Sequence, residues 1–378
     1  MINNIKTIGI VGGGQLGRMM IPYIKKLGLN VVVLDPSDDC PCSSICDTLI
    51  KSSFTDSTGY KALAALSDVI TYEFEHIEVS LLKELENNGV TVYPSVDSLA
   101  IIQDKFTQKR ALVEAGIAVP EFYSIKNLAE LKEFYSKRKV PLMLKSRKGG
   151  YDGKGNAVIF AENNIELAFK ALSSGGDDDL MVEQLLDFLK EVSVIATRGV
   201  DGTCVVYPVV QNLHKDSILD VTSVPADISG DIAKKVESCA KAVMECFKGI
   251  GTFCVELFIT KDGNVLVNEV APRVHNSGHF SIEACHTSQF ENHIRAIIGL
   301  KPDASTLLYP YAAMKNIIGA KDGVASYTGL DVALNIPLTH LHIYGKHEVK
   351  KGRKMGHVTI VGDKLEVEKK LATLDIKA

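Results

Sequence analysis

Two carboxylates set the first chemical constraint. Thr252–Thr260 alternates like a half-buried strand, Asp262-Gly263 is a two-residue turn signal, and Asn264–Val270 reads as the return strand. Counting outward from that turn pairs Lys261 with Asn264 and sets Glu256 opposite Glu269 on one face, their Cβ atoms about 4.5–5.5 Å apart. Val255, Leu257, Val267 and Val270 predict a largely buried sheet around them. Facing carboxylates in such a place repel, and one stays protonated unless a cation lies between them. A hard divalent cation such as Mg²⁺ takes oxygen ligands and bridges carboxylates to substrate phosphates, so Glu256 and Glu269 are candidate metal ligands. Asn268 could add an amide oxygen, although strict alternation turns it to the other face. The plain alternative is a solvated strand face, against which the apolar flanks argue.

A second group of residues suits phosphate. Lys145 ends the apolar run Leu142–Lys145, which leads into Lys148-Gly149-Gly150-Tyr151-Asp152-Gly153-Lys154-Gly155. Glycines at this density let backbone N–H groups turn inward as an anion nest, and Lys145, Lys148 and Lys154 add charge. A bare hairpin loop would account for the glycines but not for the lysines. Leu180–Leu186 is an apolar strand carrying Glu183 and Gln184, as a purine slot with a few edge partners requires. Glu191 stands just before the alternating strand Val192–Thr197. Arg273-Val274-His275-Asn276-Ser277-Gly278-His279 follows the carboxylate strand at once, and a bidentate guanidinium suits a planar oxyanion such as bicarbonate. Lys346, Arg353 and Lys354 would suit a phosphomonoester, although alone they read as a solvated basic face.

These residues need a scaffold. Up to about residue 100, strands at Ile8–Val11, Val31–Leu34, Val69–Tyr72 and Val90–Tyr93 alternate with helices at Leu16–Leu27, Lys61–Leu66 and Ser80–Asn87, a rhythm that predicts a parallel sheet covered on both faces. Gly12-Gly13-Gly14-Gln15-Leu16-Gly17 fits G-x-G-x-x-G, and Asp35 ends the next strand where a ribose-binding acid would sit. This keeps an NAD-dependent oxidoreductase in view, and the loop amides could hold a phosphate or sugar. A dehydrogenase would not need the second phosphate apparatus, however, and a non-catalytic nucleotide-binding module would leave both facing carboxylates unexplained. Lys105–Ala115 reads as a helix, followed by the lysine–glycine loop between two strands and a helix near Ile165–Leu172. Antiparallel strands and the helix Ile228–Phe247 come next.

Composition narrows the classes. A net charge of −4 over 378 residues excludes a general nucleic-acid binder, and no apolar run is long enough to span a membrane. Of the eight cysteines, Cys40, Cys42 and Cys46 cluster without the paired CxxC spacing of a zinc site. A reduced cytoplasmic protein with buried thiols is expected.

Together these segments resemble the ATP-grasp superfamily and, within it, the 5-(carboxyamino)imidazole ribonucleotide synthase family, the biotin-independent carboxylases of 5-aminoimidazole ribonucleotide (AIR). The marks are GGGQLGRM (12–19), ITYEFE (70–75), QDKFTQK (103–109), GGYDGKG (149–155), NEVAPRVHNSGH (268–279), SQFENH (288–293), HIYGK (342–346) and GRKMGH (352–357). The resemblance implies an α/β and α+β, three-domain ATP-grasp fold. A Rossmann-like domain would cover 1–103, a lid with the glycine loop 104–186, and a metal and substrate domain with a small C-terminal β region 187–378.

It also implies ATP and Mg²⁺, AIR and bicarbonate as substrates, no nucleic-acid or membrane partner, and a homodimer. By position, Lys105, Lys145, Gly150, Tyr151, Asp152, Gly153, Lys154, Gly155 and Asn156 resemble the phosphate and lid contacts. Glu183, Gln184, Leu185 and Leu186 resemble the adenine strand, Glu191 the ribose partner and His214 a further nucleotide contact, with Asn268 and Glu269 closing the site. Arg273, His275 and Lys346 fall where the family handles bicarbonate and carboxyphosphate. Tyr151, Asp152, Asn276, Ser277, Arg353 and Lys354 match ribonucleotide contacts, to which Gln15, Leu16 and Glu73 are added by analogy with related ligases. Asp152 is a candidate to take the amine proton. Lys105 departs from members with Arg there, which costs a planar fork. The nearest rival is formate-dependent glycinamide ribonucleotide formyltransferase, from which 273–279 would discriminate. A biotin carboxylase would need a carrier partner, and no biotinyl domain is legible.

Overall fold

The structure is a computed structural model and describes residues 5–150, 154–173 and 180–378. At the N-terminus, β1 (Thr7–Val11), β2 (Asn30–Asp35), β3 (Thr48–Lys51) and β4 (Val69–Tyr72) form a parallel sheet in the order β3-β2-β1-β4. The apolar runs of β1, β2 and β4 are buried on both faces, as crossover helices require. Helix α1 (Gln15–Lys26) packs on one face, and α2 (Ser57–Leu66) and α3 (Val79–Asn87) on the other. The expected strand at Val90–Tyr93 does not form: Val92 makes a single parallel bridge to Ile70, and the chain turns away into α4 (Val96–Ile102).

Helix α5 (Lys105–Glu114) begins at Asp104, whose carboxylate caps it by accepting from the Thr107 N–H at 3.0 Å. The same carboxylate takes Arg147 Nη2 at 2.6 Å, tying the start of α5 to the lysine–glycine loop. A small antiparallel sheet follows, ordered β5-β8-β6-β7 from Phe122–Ile125, Leu142–Ser146 (β6), Asn156–Ile159 (β7) and Leu180–Gln184 (β8). Helices α6 (Leu128–Arg138) and α7 (Ile165–Leu172) share its core, built on Leu131, Leu144, Ile159 and Val182.

The remaining chain builds one nine-stranded antiparallel sheet from β9 (Phe188–Arg198), β10 (Cys204–Val206), β11 (Val210–Lys215), β12 (Ile218–Val224), β13 (Gly251–Thr260), β14 (Val265–Ala271), β15 (Tyr311–Ile318), β17 (Thr339–Ile343) and β19 (Lys354–Gly362). Its order is β14-β13-β9-β11-β12-β15-β19-β17, with β10 on β9, and β16 (Gly323–Val324) pairs with β18 (Glu348–Val349) as a separate ribbon. Helix α8 (Gly230–Phe247) lays Val236, Ala240, Val243 and Phe247 on one face of β9 and β13. Glu191 lies inside β9 rather than ahead of a strand.

The hairpin β13–β14 departs from the expected register and recovers it. Its loop holds three residues, Lys261 to Gly263: the Thr260 N–H donates to the Asn264 carbonyl at 3.0 Å, and Gly263 takes φ +73°. Lys261 and Asn264 are therefore not partners, and pairing near the turn runs Ile259 to Val265 and Leu257 to Val267. A bulge at Asn268 then absorbs the offset, so that Glu256 does face Glu269. The bulge also breaks alternation. Val267 and Val270 both reach the core beneath α8, while Asn268 and Glu269 both turn to the opposite face and its cavity.

Candidate active site

That cavity, of ≈ 890 Å³, lies where the three sheets meet. Its acidic floor comes from β9, β13 and β14, which present Glu191, Glu256 and Glu269 on one face. Burial, with Glu191 and Glu269 close by, pushes the Glu256 carboxyl up to about 7. Lys105 contacts Glu269 directly. Burial opposes its ammonium, yet Glu269 holds its pKa above that of an ordinary lysine. His214 Nδ1 stands 3.3 Å from Glu191. Burial disfavours its charge, but the hydrogen bond to Glu191 prevails and raises its pKa.

Lys145 enters from β6. Its Nζ lies 2.8 Å from Glu183 and 3.3 Å from Asn268 Oδ1. Glu183, expected as an edge acceptor for a purine, is thus a buried counter-ion, held also by Lys109 at 3.0 Å. Burial opposes its charge, but the two lysines hold its pKa below the usual carboxylate range. Lys109 is itself pushed down to about 8 by burial, against the pull of Glu183. Met143, Val158, Leu185, Leu186, Phe188, Leu219 and Phe258 form an apolar end to the cavity, with the Phe188 and Phe258 rings stacked 4.6 Å apart. Met143, Val158, Phe188, Leu219 and Phe258 lie outside the expected site, because nothing in their own segments marks them.

The other wall is the loop after β14. Arg273 gives its Nε and Nη2 to Glu75, the second at 2.9 Å, and its Nη1 to the Val274 carbonyl at 3.1 Å. Its planar fork is therefore engaged within the protein, and toward the cavity Arg273 offers charge rather than a free bidentate edge. Burial would raise Glu75, but the guanidinium holds it down to about 2. His275 is kept neutral, pushed down to about 3 by burial and by Arg273. Its Nδ1 accepts from the Ser277 N–H at 3.3 Å and its Nε2 lies 3.5 Å from Glu256. Cys254, Glu256 and His275 bring donor atoms within 4.8 Å of one another, the one such mixed group among the described residues.

The glycine-rich N-terminal loop turns its amides to the protein's own carboxylates rather than to a pyrophosphate. Glu73 accepts from the Gly14 and Gly17 N–H groups, the latter at 2.9 Å, and Asp35 accepts from Gly13 at 2.7 Å. The amides that would bind a dinucleotide are satisfied by the protein's own carboxylates, and a Cβ on Gly14 would lie 2.2 Å from Glu73 Oε1. This removes the structural basis of the NAD reading.

Of the expected site residues, Gln15, Leu16, Glu73, Lys105, Lys145, Gly150, Lys154, Asn156, Glu183, Gln184, Leu185, Leu186, Glu191, His214, Glu256, Asn268, Glu269, Arg273, His275, Asn276 and Lys354 line this one cavity. Tyr151, Asp152 and Gly153 lie outside the described residues. Gly155, Ser277, Lys346 and Arg353 are not in its wall. Ser277 is buried behind His275, Lys346 Nζ donates to the Lys354 carbonyl at 2.7 Å, and Arg353 Nη1 donates to the Glu348 carbonyl at 2.9 Å. Glu75, Phe74 and His76 also line the cavity; ITYEFE pointed to their segment, and only Glu73 was expected from it.

A lysine-bearing sheet facing an acidic antiparallel hairpin across one cleft is the arrangement of an ATP-grasp enzyme, and the ATP-grasp domain family matches residues 110–290. The ribonucleotide synthetase preATP-grasp domain matches 5–103, and the phosphoribosylaminoimidazole carboxylase C-terminal domain matches 312–370. The chain belongs to the N5-carboxyaminoimidazole ribonucleotide synthase family. It is 40% identical over 355 residues to the protein of that name from Bacillus subtilis (strain 168), covering 94% of this chain and 91% of that one. It is 40% identical over 373 residues to the chloroplastic phosphoribosylaminoimidazole carboxylase of Vigna aconitifolia, covering 97% of this chain and 66% of the relative, so it spans about two thirds of that longer protein. Among solved structures, the Staphylococcus aureus N5-carboxyaminoimidazole synthetase complexed with ADP is similar at TM-score 0.88 and 39% identity, with 97% and 96% of the two chains covered. The Aspergillus clavatus N5-carboxyaminoimidazole synthase in complex with ADP and 5-aminoimidazole ribonucleotide is similar at TM-score 0.89 and 34% identity, with 98% and 97% covered. Membership of this family replaces the dehydrogenase and formyltransferase readings. Among the described residues no helix is long and apolar enough to cross a membrane.

Proposed function

We propose that the chain is an ATP-dependent ligase that carboxylates the exocyclic amine of AIR with bicarbonate, giving 5-(carboxyamino)imidazole ribonucleotide in de novo purine synthesis. The observation that carries this is the facing pair Glu256 and Glu269 with Lys105 and Lys145 at one cavity, in a chain of this family. The adenine lies in the apolar end beside Gln184–Leu186, with Glu191 and His214 at the ribose and Lys105, Lys145 and the loop Gly150–Asn156 at the phosphates. Two carboxylates and the Asn268 amide form an oxygen donor set suited to Mg²⁺, and the raised pKa of Glu256 reflects burial first and then the acidic neighbours whose repulsion a cation would relieve. When bound there, Mg²⁺ supplies charge neutralisation for phosphoryl transfer.

Lys105 and Lys145 hold the triphosphate in line and stabilise the transferring group, where positioning and electrostatics do most of the work. Bicarbonate oxygen attacks the γ-phosphorus, ADP leaves, and carboxyphosphate forms beside Arg273 and His275, with Lys346 adding positive charge from outside the cavity wall. Carboxyphosphate breaks down to phosphate and CO₂, and the AIR amine attacks the carbon. The neutral imidazole of His275 is assigned to orienting bicarbonate and carboxyphosphate rather than to taking a proton, and Asp152 is the acceptor assigned to the amine proton. Gln15, Leu16, Glu73, Tyr151, Asn276 and Lys354 are assigned to the ribonucleotide, with Ser277 instead holding the His275 ring and Arg353 standing outside the cavity wall. We also infer division near residues 103 and 186, a cytoplasmic location and a homodimer, the last to be read by sedimentation equilibrium. The deciding assay is ADP release with and without AIR and bicarbonate: turnover should need bicarbonate and rise with AIR, and no response to AIR would overturn the assignment.

A further inference from the structure

The segment Gln103–Lys109 carries a second lysine that the proposed reaction leaves unused. Lys109 lies one turn after Lys105 on α5 and is almost wholly buried, its side chain 2% exposed. It does not line the cavity. Its Nζ stands 3.0 Å from Glu183 Oε1 and donates to the bulged Asn268 carbonyl at 2.9 Å. Lys145 Nζ stands 2.8 Å from the other oxygen of Glu183 and donates to Asn268 Oδ1 at 3.3 Å. The four residues thus close a ring that joins α5, the small sheet and the acidic hairpin.

Charge counting gives the ring a purpose. One carboxylate shared by two ammoniums leaves one net positive charge, and of the two only Lys145 lines the cavity. Without Lys109, Glu183 and Lys145 would close on each other as a neutral pair, and Lys145 would present less positive charge to the cavity. The Asn268 carbonyl would also lose its donor at the bulge that turns Asn268 and Glu269 into the cavity.

We propose that Lys109 is a positioning residue for the ATP phosphates, acting through Glu183 and Asn268 to keep the charge of Lys145 available and the bulge in place. This rests on the proposed ATP-dependent activity. The test is steady-state kinetics of Lys109→Met and Lys109→Arg beside the unmodified enzyme, varying ATP, AIR and bicarbonate in turn. Lys109→Met should raise the ATP KM at least about tenfold, the loss expected for one charge-assisted hydrogen bond. The KM for AIR should stay within about twofold, since among the described residues the Lys109 ammonium is bonded only within the ring. Lys109→Arg should recover part of the ATP KM. A lysine that served packing alone would lower thermal stability and leave the KM ratio unchanged, and that result, or equal shifts for ATP and AIR, overturns the proposal. If Lys109→Met does not fold, Lys109→Gln, which keeps a donor for the Asn268 carbonyl but no charge, takes its place: a rise in the ATP KM alone supports the proposal, and an unchanged KM ratio overturns it. No AIR-dependent ATP turnover in the unmodified enzyme would instead sink the ATP-dependent activity itself.

Discussion

Arg273 and Glu75 stand 198 positions apart in sequence and meet as a partly buried ion pair at the cavity wall. Removing Glu75 would leave a desolvated guanidinium, so Glu75→Gln should destabilise the protein at pH 7 by about 3 kcal/mol, in keeping with a carboxyl held at about 2. The sign follows from the lowered value. The pair stabilises the fold at pH above the unfolded carboxyl's ordinary range, and that stability drains away as pH falls from there through about 2. Urea unfolding at pH 7 and pH 3 checks this: the gap between Glu75→Gln and the unmodified protein should narrow at the lower pH. For the acidic pair, Glu269→Gln removes one charged oxygen donor and the partner of Lys105. ATP turnover should fall by about 10²-fold or more and should need higher Mg²⁺, measured as initial rate against Mg²⁺ concentration. A Glu269→Gln enzyme with unaltered Mg²⁺ dependence would contradict the metal assignment.

At the level of elements, helix α5 matters through where it starts. Asp104 caps it and binds Arg147, so a single carboxylate sets both the height of Lys105 and the approach of the lysine–glycine loop. Asp104→Ala should cost about 1–3 kcal/mol in urea unfolding, a lost cap plus a lost partly buried ion pair, and should raise the KM for both ATP and AIR, since the loop it holds carries residues assigned to each. The bulge in β14 is the other such device. Asn268→Ala keeps the backbone and the Lys109 contact but removes an acceptor of Lys145, so the ATP KM should rise by roughly threefold to tenfold. Because the Asn268 amide also belongs to the proposed Mg²⁺ donor set, an unchanged ATP KM is the outcome at odds with the ring as described.

Across the whole molecule, the acidic hairpin and the C-terminal strands belong to one sheet. β12 pairs with β15 over Val221–Val224, and β15 carries β19 and β17 beyond it. A chain truncated after Pro310 would expose the edge of β12 and unroof Val224, Leu219 and Tyr207, which pack with Ala312, Met314 and Val361. Such a protein should aggregate on expression rather than persist as a smaller nucleotide-binding unit. Recovery of a soluble, monodisperse truncate would show that the sheet is energetically divisible at that point.

Much of this was legible before any tertiary contact. Apolar runs between helical periods marked three strands of the first sheet, since parallel strands buried on both faces carry continuous hydrophobic sequence. β3 escaped because Thr48–Lys51 is short and only half-buried, and Val90–Tyr93 misled because a single bridged residue has the same composition as a strand. The facing of Glu256 and Glu269 was readable from the hairpin, yet a three-residue loop and a bulge had to offset each other for it to hold. Sequence determined by itself the chemical inventory and the local periods: which residues could bind phosphate, purine or a cation, and on which elements they stand. Tertiary structure decided what those groups are already bound to. Glu73 fills the glycine loop, Glu75 takes the Arg273 fork, and Glu183 is shared by Lys109 and Lys145. The reason is physical: a local pattern reports propensity within a few residues, whereas the partner of a buried charge is whichever opposite charge the packed fold brings within hydrogen-bond reach.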